Sequence, residues 1–260
     1  MSISCIIQAR MRSSRLPGKV MMKLDNENPI LYYLINQLNH CKNINKLIVA
    51  TTDLQEDKII EGFSKKIGVK CFRGDANDVL DRYYQCAKKF ALSNIVRITS
   101  DNPLIDPTLV DEAIKKFQTN DFDYLTNSFP RTFPQGTETE IFTFKALQKA
   151  WKEAKKPSER EHVTPYFYNN PNKFRIFNIT YSKNLSHLRW TIDRESDLKF
   201  VKTIILRIHK RPIIMEDILD LLKKDPKLIE INKDYLLNEG YLISLKNDEE
   251  FFKKNRDDKG

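Results

Sequence analysis

The chain has 260 residues, of which 44 are Lys or Arg and 35 are Asp or Glu, and its formal net charge is +9. This length is sufficient to bury a large core without disulfides or structural metals. The four cysteines are far apart and form no C-x-x-C pair, which favours buried thiols over a zinc site or a disulfide framework. No apolar run approaches the ~20 residues of a membrane span, and the N-terminus lacks a signal-peptide pattern. We therefore expect a cytoplasmic protein without a membrane partner.

The positive charge leaves two kinds of partner open. A basic protein can bind nucleic acid, and a basic field can equally steer an anionic small molecule into a cleft. Many lysines occur as pairs on predicted helices, for example Lys65-Lys66 and Lys88-Lys89. This spread indicates solvated helix faces rather than a dense basic stripe with aromatic residues for stacking bases. We expect no nucleic-acid partner.

Strands and helices alternate regularly in the first half of the chain. Short apolar runs predict buried strands, and apolar residues at helical spacing predict the helices between them. The fold class that this alternation predicts is α/β, with a mixed, mostly parallel sheet flanked by helices in a Rossmann-like three-layer arrangement. The predicted strands cover residues 3–9, 46–51, 69–72 and 94–99, and the predicted helices cover residues 29–41, 56–67, 78–92 and 107–119.

The second half is more mixed. Its pattern predicts strands at 122–126, 138–144, 174–180 and 188–192, and helices at 145–154, 159–168, 195–209 and 216–224. Because the sequence shows no internal repeat and no linker, we expect residues 1–246 to form a single domain. Residues 247–260 are highly charged, so we expect them to form a frayed tail.

A basic loop follows the first predicted strand. It contains the cations Arg10, Arg12, Arg15 and Lys19, the hydroxyls of Ser13 and Ser14, and a Pro-Gly turn. In open α/β sheets ligands bind at the carboxyl ends of strands, so this loop can surround a polyanion such as a nucleoside triphosphate with charge-assisted donors. The sequence has no G-x-G-x-x-G and no Walker-type loop, so side chains would hold the phosphates. The alternative is a solvated basic loop or part of a nucleic-acid patch.

Two acidic residues also follow predicted strands. Asp101 comes two residues after the end of the predicted strand at 94–99, and Asp193 follows the predicted strand at 188–192. Carboxylates at this edge of a sheet can hold Mg²⁺ against bound phosphates, and one ion needs oxygens from more than one direction. Alternatively, Asp101 makes a turn and Asp193 caps the next helix. Asp106, just before Pro107, is explained as a helix N-cap.

These segments resemble the cytidylyltransferases of the spore-coat polysaccharide branch, whose relatives include the CMP-KDO and CMP-sialate synthetases. The family opening A-R-x-x-S-x-R-L-P-x-K matches residues 9–19, D-x-P-L-I-D matches residues 101–106, and the late acidic motif matches 191–198. Residues 73–82, 133–136 and 159–165 also resemble this branch, so the resemblance extends over about residues 3–245. One departure is Gly136-Thr-Glu138-Thr-Glu140, where the branch usually reads Gly-Leu-Asp-x-Glu. This change affects the expected acceptor and not the chemistry.

The resemblance implies the fold of the nucleotide-diphospho-sugar transferases and an Mg²⁺-dependent nucleotidyltransferase. Such an enzyme would transfer CMP from CTP to an anionic acceptor and release pyrophosphate, in the synthesis of surface polysaccharide or glycoconjugate precursors. The acceptor would be a sugar acid, a sugar or polyol phosphate, or a phosphonate. Arg10, Arg15 and Lys19 would neutralise the triphosphate, with Asp101 as a further catalytic residue, and Asp101 and Asp193 would hold the Mg²⁺.

The resemblance also assigns residues to the two substrates. For several of them a structural role stays open: Asp78, Asp81 and Arg82 also fit the start of a helix, and His162 is either a general base or a structural or acceptor-binding residue. The expected nucleotide-binding residues are Ala9, Arg10, Arg12, Ser13, Ser14, Lys19, Thr51, Thr52, Asp53, Arg73 and Ser100. The expected acceptor-binding residues are Arg82, Arg97, Arg131, Gly136, Glu138, Glu140, Arg160 and His162.

Two other functions remain open. A glycosyltransferase of similar fold would also bind a nucleotide and a metal ion, but it would normally show D-x-D where this chain reads Ser100-Asp101-Asn102. A non-enzymatic nucleic-acid-binding protein would account for the net charge alone. The sequence does not decide the base, the acceptor or the oligomeric state, a homodimer included.

Overall fold

A mixed sheet forms the centre of the computed structural model, which describes residues 2–235 and 239–257. Within these residues the sheet has seven strands. In chain order they are β1 (Ile3–Gln8), β2 (Lys46–Thr52), β3 (Lys70–Gly74), β4 (Asn94–Thr99), β5 (Tyr124–Thr126), β6 (Glu140–Thr143) and β7 (Ile176–Asn178). Their order across the sheet is β3-β2-β1-β4-β6-β5-β7.

Only β6 runs against the other strands of this sheet. β1 pairs in parallel with β2 and β4, β2 pairs in parallel with β3, and β5 pairs in parallel with β7. β6 is antiparallel to β4 and β5, with Arg97 opposite Glu140. The carboxyl ends of six strands and the amino end of β6 therefore meet at one edge. The predicted mixed, mostly parallel sheet is confirmed.

Helices cover both faces of the sheet, because its central strands are apolar on both sides. One face packs Ile6, Ile48 and Ile95 against helices, and the other packs Ile7 and Val96. The first layer contains α3 (Val79–Lys89), α5 (Phe144–Glu153) and α7 (Pro165–Tyr168), and the second contains α1 (Ile30–Leu38), α2 (Lys58–Lys66) and α4 (Pro107–Gln118). The remaining α-helices of the described residues are α6 (Pro157–His162), α8 (Glu195–Arg207), α9 (Met215–Lys224) and α10 (Glu239–Asp257).

A third apolar cluster lies beside the sheet. It packs the fully buried Trp190 with Leu16, Leu104 and residues of α8 and α9. These residues come from the loop after β1, the turn after β4 and the segment before α8. The cluster therefore holds together the three segments that carry the predicted nucleotide and metal residues.

Two predicted elements differ in the structure. Residues 188–192 do not form a strand, because their partners are loops: Gln135 N donates to Leu188 O (2.9 Å) and Trp190 N donates to Gln135 O (2.9 Å), which makes one isolated bridge. The predicted helix 159–168 is two helices, α6 and α7. They are separated at Val163, whose φ of +70° is outside the helical region, and Pro165 opens α7.

The end of the chain also differs from the expected frayed tail. Residues 247–257 continue α10, and Asp248 fixes this helix to α6 by accepting from Ser158 N (2.9 Å) and Ser158 Oγ (2.6 Å). Residues 258–260 lie outside the described part of the chain. Across the described ranges, no helix has the length and apolar character needed to cross a membrane.

The four cysteines are free thiols. Cys5 and Cys86 are buried, whereas Cys41 and Cys71 are half-buried, so two of the four are less enclosed than expected. Burial raises the pKa of the Cys71 thiol to about 11 and that of Cys86 to about 12. These thiols are therefore protonated at neutral pH, which makes them poor nucleophiles.

Candidate active site

The basic loop after β1 is closed by a left-handed glycine. Gly18 has a φ of +72°, and its N–H donates to Met11 O (2.8 Å). Met11 N in turn donates to Asp57 Oδ1 (2.7 Å), which ties the loop to the start of α2. The loop therefore stands at the carboxyl edge of the sheet, as the sequence predicts.

Lys19 brings the loop and the two predicted acidic residues together. Its Nζ donates to Asp101 Oδ2 (2.9 Å) and Asp193 Oδ1 (2.8 Å), and also to the carbonyl of Ile192 (2.6 Å). Burial acts against the charged ammonium, but the two carboxylates outweigh it and raise the pKa of Lys19. Three segments far apart in sequence thus meet at one charged atom.

Arg15 reaches the same place from the other side of the loop. Its Nη2 lies 2.7 Å from Asp193 Oδ1, and its Nη1 lies 3.8 Å from Glu239 on α10. Burial opposes ionisation of Asp193, but Lys19 and Arg15 hold the pKa of this carboxyl well below its usual range. Asp193 is therefore a carboxylate at neutral pH.

The carboxylate oxygens around Lys19 Nζ are suitable ligands for a hard divalent cation. Asp101 and Asp193 present carboxylate oxygens from different directions to one point that an ammonium group now holds. The described residues contain no group of three or more His, Cys, Asp and Glu arranged to hold a metal ion. Mg²⁺ commonly binds through one or two carboxylates and takes its other ligands from phosphates and water. Two carboxylates beside the basic loop suit that ion.

The other predicted nucleotide residues surround the ends of β1 and β2. Arg10 lies 3.9 Å from Glu161, and the exposed Arg12 lies 2.6 Å from Glu56, so each is paired with a glutamate. Ser13 Oγ accepts from Leu16 N (3.3 Å) within the loop. Ala9, Arg10, Arg12, Ser13 and Ser14 belong to this loop, with Ala9 N donating to Ala50 O (3.1 Å) and Ser100 N donating to Gln8 O (3.0 Å) behind it.

At the end of β2, Thr51 and Thr52 are buried and Asp53 is exposed. Thr52 Oγ1 donates to Asp57, and Thr51 Oγ1 finds no hydrogen-bond partner among the described residues. Arg73 donates to the carbonyls of Thr52 (3.0 Å) and Leu54 (2.7 Å). Arg73 thus braces the backbone that carries these residues.

A cleft of about 340 Å³ opens next to Asp101 and Asp193. Its walls include five of the predicted acceptor residues, and four of these form two ion pairs, Arg97 with Glu140 and Arg131 with Glu138. Because Arg97 and Glu140 face each other across β4 and β6, the sheet register itself makes the first pair. The five are Arg97, Arg131, Glu138, Glu140 and His162.

Two predicted acceptor cations lie elsewhere. Arg82 is fully buried in α3, where its Nη1 donates to Asp75 O (2.9 Å) and burial lowers its pKa. Its Nε and Nη2 find no partner among the described residues. Arg160 donates from Nε to Asp78 Oδ2 (2.8 Å) and from Nη1 to Trp151 O (2.8 Å). Both cations therefore lie within the helical layer.

The acidic residues near Arg82 have structural contacts. Asp78 is the N-cap of α3 and accepts from Asp81 N (2.8 Å). Asp81 accepts from Trp151 Nε1 (2.7 Å). Asp106 likewise caps α4 by accepting from Thr108 N (2.7 Å), as the sequence predicts.

His162 lies in the wall of the cleft and contacts α10. Its Nε2 is 2.8 Å from Ser244 Oγ, which donates to Glu161 Oε2 (2.7 Å). Burial lowers the pKa of His162, although Glu161 acts in the opposite sense. His162 is therefore neutral at pH 7, and it links α6 to the last helix.

Gly136 allows the loop between β5 and β6 (residues 127–139, called the acceptor-side loop after its predicted residues) to approach the segment before α8. It has a φ of +101°, and a Cβ there would lie 2.7 Å from Thr191 N and 2.8 Å from the carbonyl carbon of Trp190. Gly136 N donates to Glu138 Oε2 (2.9 Å), which holds that carboxylate toward Arg131. A glycine is thus required by both the backbone angle and the lack of space.

Several residues of the site are not among the predicted ones. Gln135, Arg189 and Tyr235 line the cleft, and α10 adds Glu239 and Tyr241. Arg189 had a weak signal, since it lies two residues before the late acidic motif and four residues before Asp193. Glu239 and Tyr241 had none, because they lie after the last predicted helix and outside the matched motifs.

Comparison with known proteins gives consistent matches over nearly the whole chain. A family model described as cytidylyltransferase matches residues 4–235. An uncharacterized protein of Methanocaldococcus jannaschii is 40% identical over 236 residues, which cover 90% of this chain and 96% of that protein. The spore coat polysaccharide biosynthesis protein SpsF of Bacillus subtilis is 32% identical over 231 residues, covering 85% of this chain and 94% of SpsF. The solved structure of a cytidylyltransferase from Leptospira borgpetersenii superposes with a TM-score of 0.86 at 36% identity, covering 91% of this chain and 100% of that one.

Proposed function

The chain belongs to the cytidylyltransferase family, and from this premise we propose that it transfers CMP from CTP to an anionic acceptor and releases pyrophosphate. The acceptor class is a sugar acid, a sugar or polyol phosphate, or a phosphonate, and the product serves surface polysaccharide or glycoconjugate synthesis. The observation that carries the proposal is the meeting of Lys19, Asp101 and Asp193 beside the basic loop.

The reaction exchanges one bond at the α-phosphorus for another. An acceptor oxygen forms a bond to the α-phosphorus, and the bond to the bridging oxygen of pyrophosphate breaks with its electron pair on pyrophosphate. Charge on the phosphate oxygens grows in this step, so positioning and electrostatic stabilisation provide the catalysis. Arg10, Arg15 and Lys19 supply the positive charge, and CTP phosphates would compete with the carboxylates that now pair with them.

Asp101 and Asp193 are the residues that would hold a magnesium ion. When bound, Mg²⁺ would neutralise phosphate charge and align the reacting groups. With the metal bound to the two carboxylates, Lys19 would bind a phosphate oxygen of CTP instead.

The cleft beside these residues is the acceptor site in this proposal. Arg97 and Arg131 are held by Glu140 and Glu138, so their guanidinium groups are oriented before an acceptor enters. The oxygen of a phosphate, phosphonate or carboxylate is already ionised, and its attack needs little general-base help. His162 therefore acts here as a neutral side chain of the cleft wall.

Calorimetric titration of nucleotides tests the proposal without knowledge of the acceptor. CTP should bind more tightly than UTP, GTP, ATP or dTTP, and Mg²⁺ should strengthen CTP binding at least about tenfold, which corresponds to about 1.4 kcal/mol. Asp101→Asn should lose this strengthening. The matched control Asp123→Asn should keep it, because Asp123 pairs with Arg175 away from the cleft.

Two results would contradict the proposal. CTP binding that is no tighter than binding of the other nucleotides would contradict the assignment of CTP as the donor. Strengthening of CTP binding by Mg²⁺ that persists in Asp101→Asn would contradict the assignment of Asp101 as a metal ligand.

Two other results would favour the alternative functions. Selective binding of a nucleotide sugar would point to a glycosyltransferase. Salt-sensitive nucleic-acid binding that is unchanged in Asp101→Asn would point to a non-enzymatic protein.

A further inference from the structure

All three nitrogen atoms of the Arg189 guanidinium group donate hydrogen bonds in the cleft wall. Its side chain is only 7% exposed. Nη2 donates to Asp193 Oδ2 (2.8 Å), Nη1 donates to Gln135 Oε1 (2.8 Å), and Nε donates to Asp197 Oδ1 (2.9 Å). One side chain thus joins the acceptor-side loop, the segment before α8 and the first turn of α8.

The two oxygens of the Asp193 carboxylate contact different residues. Oδ2 accepts from Arg189, whereas Oδ1 faces Lys19 (2.8 Å) and Arg15 (2.7 Å). By holding Oδ2, Arg189 fixes the rotation of the carboxylate. The oxygen left for an incoming ligand is therefore Oδ1, on the side of Asp101.

The position of Arg189 is itself fixed from several directions. Asp197, whose side chain is 3% exposed, accepts from Arg189 and also from the backbone N–H groups of Asp193 (2.9 Å) and Arg194 (3.0 Å). The ring of Tyr235 lies 4.8 Å from the guanidinium carbon. A lysine keeps the charge but has no planar fork with which to bridge these acceptors.

We propose that Arg189 is a positioning residue that orients Asp193 toward a divalent cation and connects this carboxylate with the acceptor-side loop through Gln135. The inference rests on the proposed function, since it concerns the same metal-assisted transfer. It gives a role to a side chain that need not touch either substrate. Residues that orient metal ligands typically affect metal affinity or activity by about 10–100-fold when replaced.

Mn²⁺ binding, followed by electron paramagnetic resonance in the presence of CTP and without acceptor, tests this role. Arg189→Lys should weaken Mn²⁺ binding by about 10–100-fold, and it should leave CTP binding in the absence of metal within about threefold of wild type. The matched control is Arg207→Lys, because Arg207 forms an exposed ion pair with Asp225 at the far end of α8. This control should bind Mn²⁺ as wild type does.

A double-mutant cycle shows whether Arg189 acts through Asp193. If it does, Arg189→Lys should weaken Mn²⁺ binding little further when Asp193→Asn is already present, because interacting residues are not additive. Fully additive effects would overturn the proposal. So would wild-type Mn²⁺ affinity in Arg189→Lys.

A more conservative variant distinguishes a loss of positioning from a folding defect. Gln135→Met removes one acceptor of Arg189 and keeps the rest of its contacts, so Mn²⁺ binding should weaken several-fold in a protein with wild-type circular dichroism. Unchanged Mn²⁺ binding in this folded variant would also overturn the proposal. Failure of the wild-type protein to bind Mn²⁺ with CTP would instead overturn the proposed function, so the two failures are distinguishable.

Discussion

At the residue scale, His162 combines burial with an ionisable ring. Burial lowers its pKa below the value of about 6.5 expected in the unfolded chain. As the pH falls through 6.5 the unfolded state takes up a proton that the folded state does not. The stability linked to His162 is therefore present above about pH 6.5 and is lost as the pH falls toward the folded-state pKa.

Replacing the ring should remove this dependence. We expect the free energy of unfolding of the wild-type protein to fall more steeply between about pH 7 and 5 than that of His162→Gln. Urea denaturation at several pH values measures the two slopes. Equal slopes would mean that His162 is as easily protonated in the folded state as in the unfolded chain.

At the element scale, the contact between the acceptor-side loop and the segment before α8 depends on one glycine. Gly136→Ala places a Cβ 2.7 Å from Thr191 N at a φ of +101°. We expect the free energy of unfolding to fall by about 1–3 kcal/mol, the range typical of a strained backbone residue. Chemical denaturation of wild type and variant measures the difference.

Gly62→Ala provides the matched control. Gly62 is an exposed residue inside α2, and a Cβ there meets nothing within 4 Å. The same substitution should stabilise the protein by about 0.5–1 kcal/mol, because alanine has the higher helix propensity. A Gly136→Ala variant that is as stable as wild type would show that the loop can move away from Trp190.

At the scale of the whole molecule, the proposed CTP site joins the basic loop, β4 and the segment before α8. A ligand that binds only the folded protein stabilises all of these segments together. CTP with Mg²⁺ at about 100 times its dissociation constant should add about 2.7 kcal/mol, or a rise of about 5–10 °C in the melting temperature. Thermal unfolding followed by circular dichroism measures the rise. An equal rise with ATP or UTP would contradict selection of cytosine.

The sequence predicted part of the geometry of the candidate site, because two of its segments follow strands of the sheet. Residues at the ends of β1 and β4 lie at one edge in any parallel sheet, so the loop at residues 9–19 and Asp101 could be placed together. The capping role of Asp106 was equally predictable, since it depends only on the next three residues. The strand predicted at 188–192 was wrong because its alternating apolar residues Leu188, Trp190 and Ile192 fill the third cluster, and its backbone pairs with a loop.

What the sequence determined by itself is therefore local or periodic: the α/β alternation, the ends of β1 and β4 with the basic loop and Asp101, and the family motifs. What only the tertiary structure decided is which charges meet, such as Lys19 with Asp193, Arg10 with Glu161 and Arg15 with Glu239. It also decided that α10 packs on α6 rather than fraying. The physical reason is that helix and strand periods and strand-end positions are set by neighbouring residues, whereas pairs separated by more than a hundred residues are set by the packing of the complete chain.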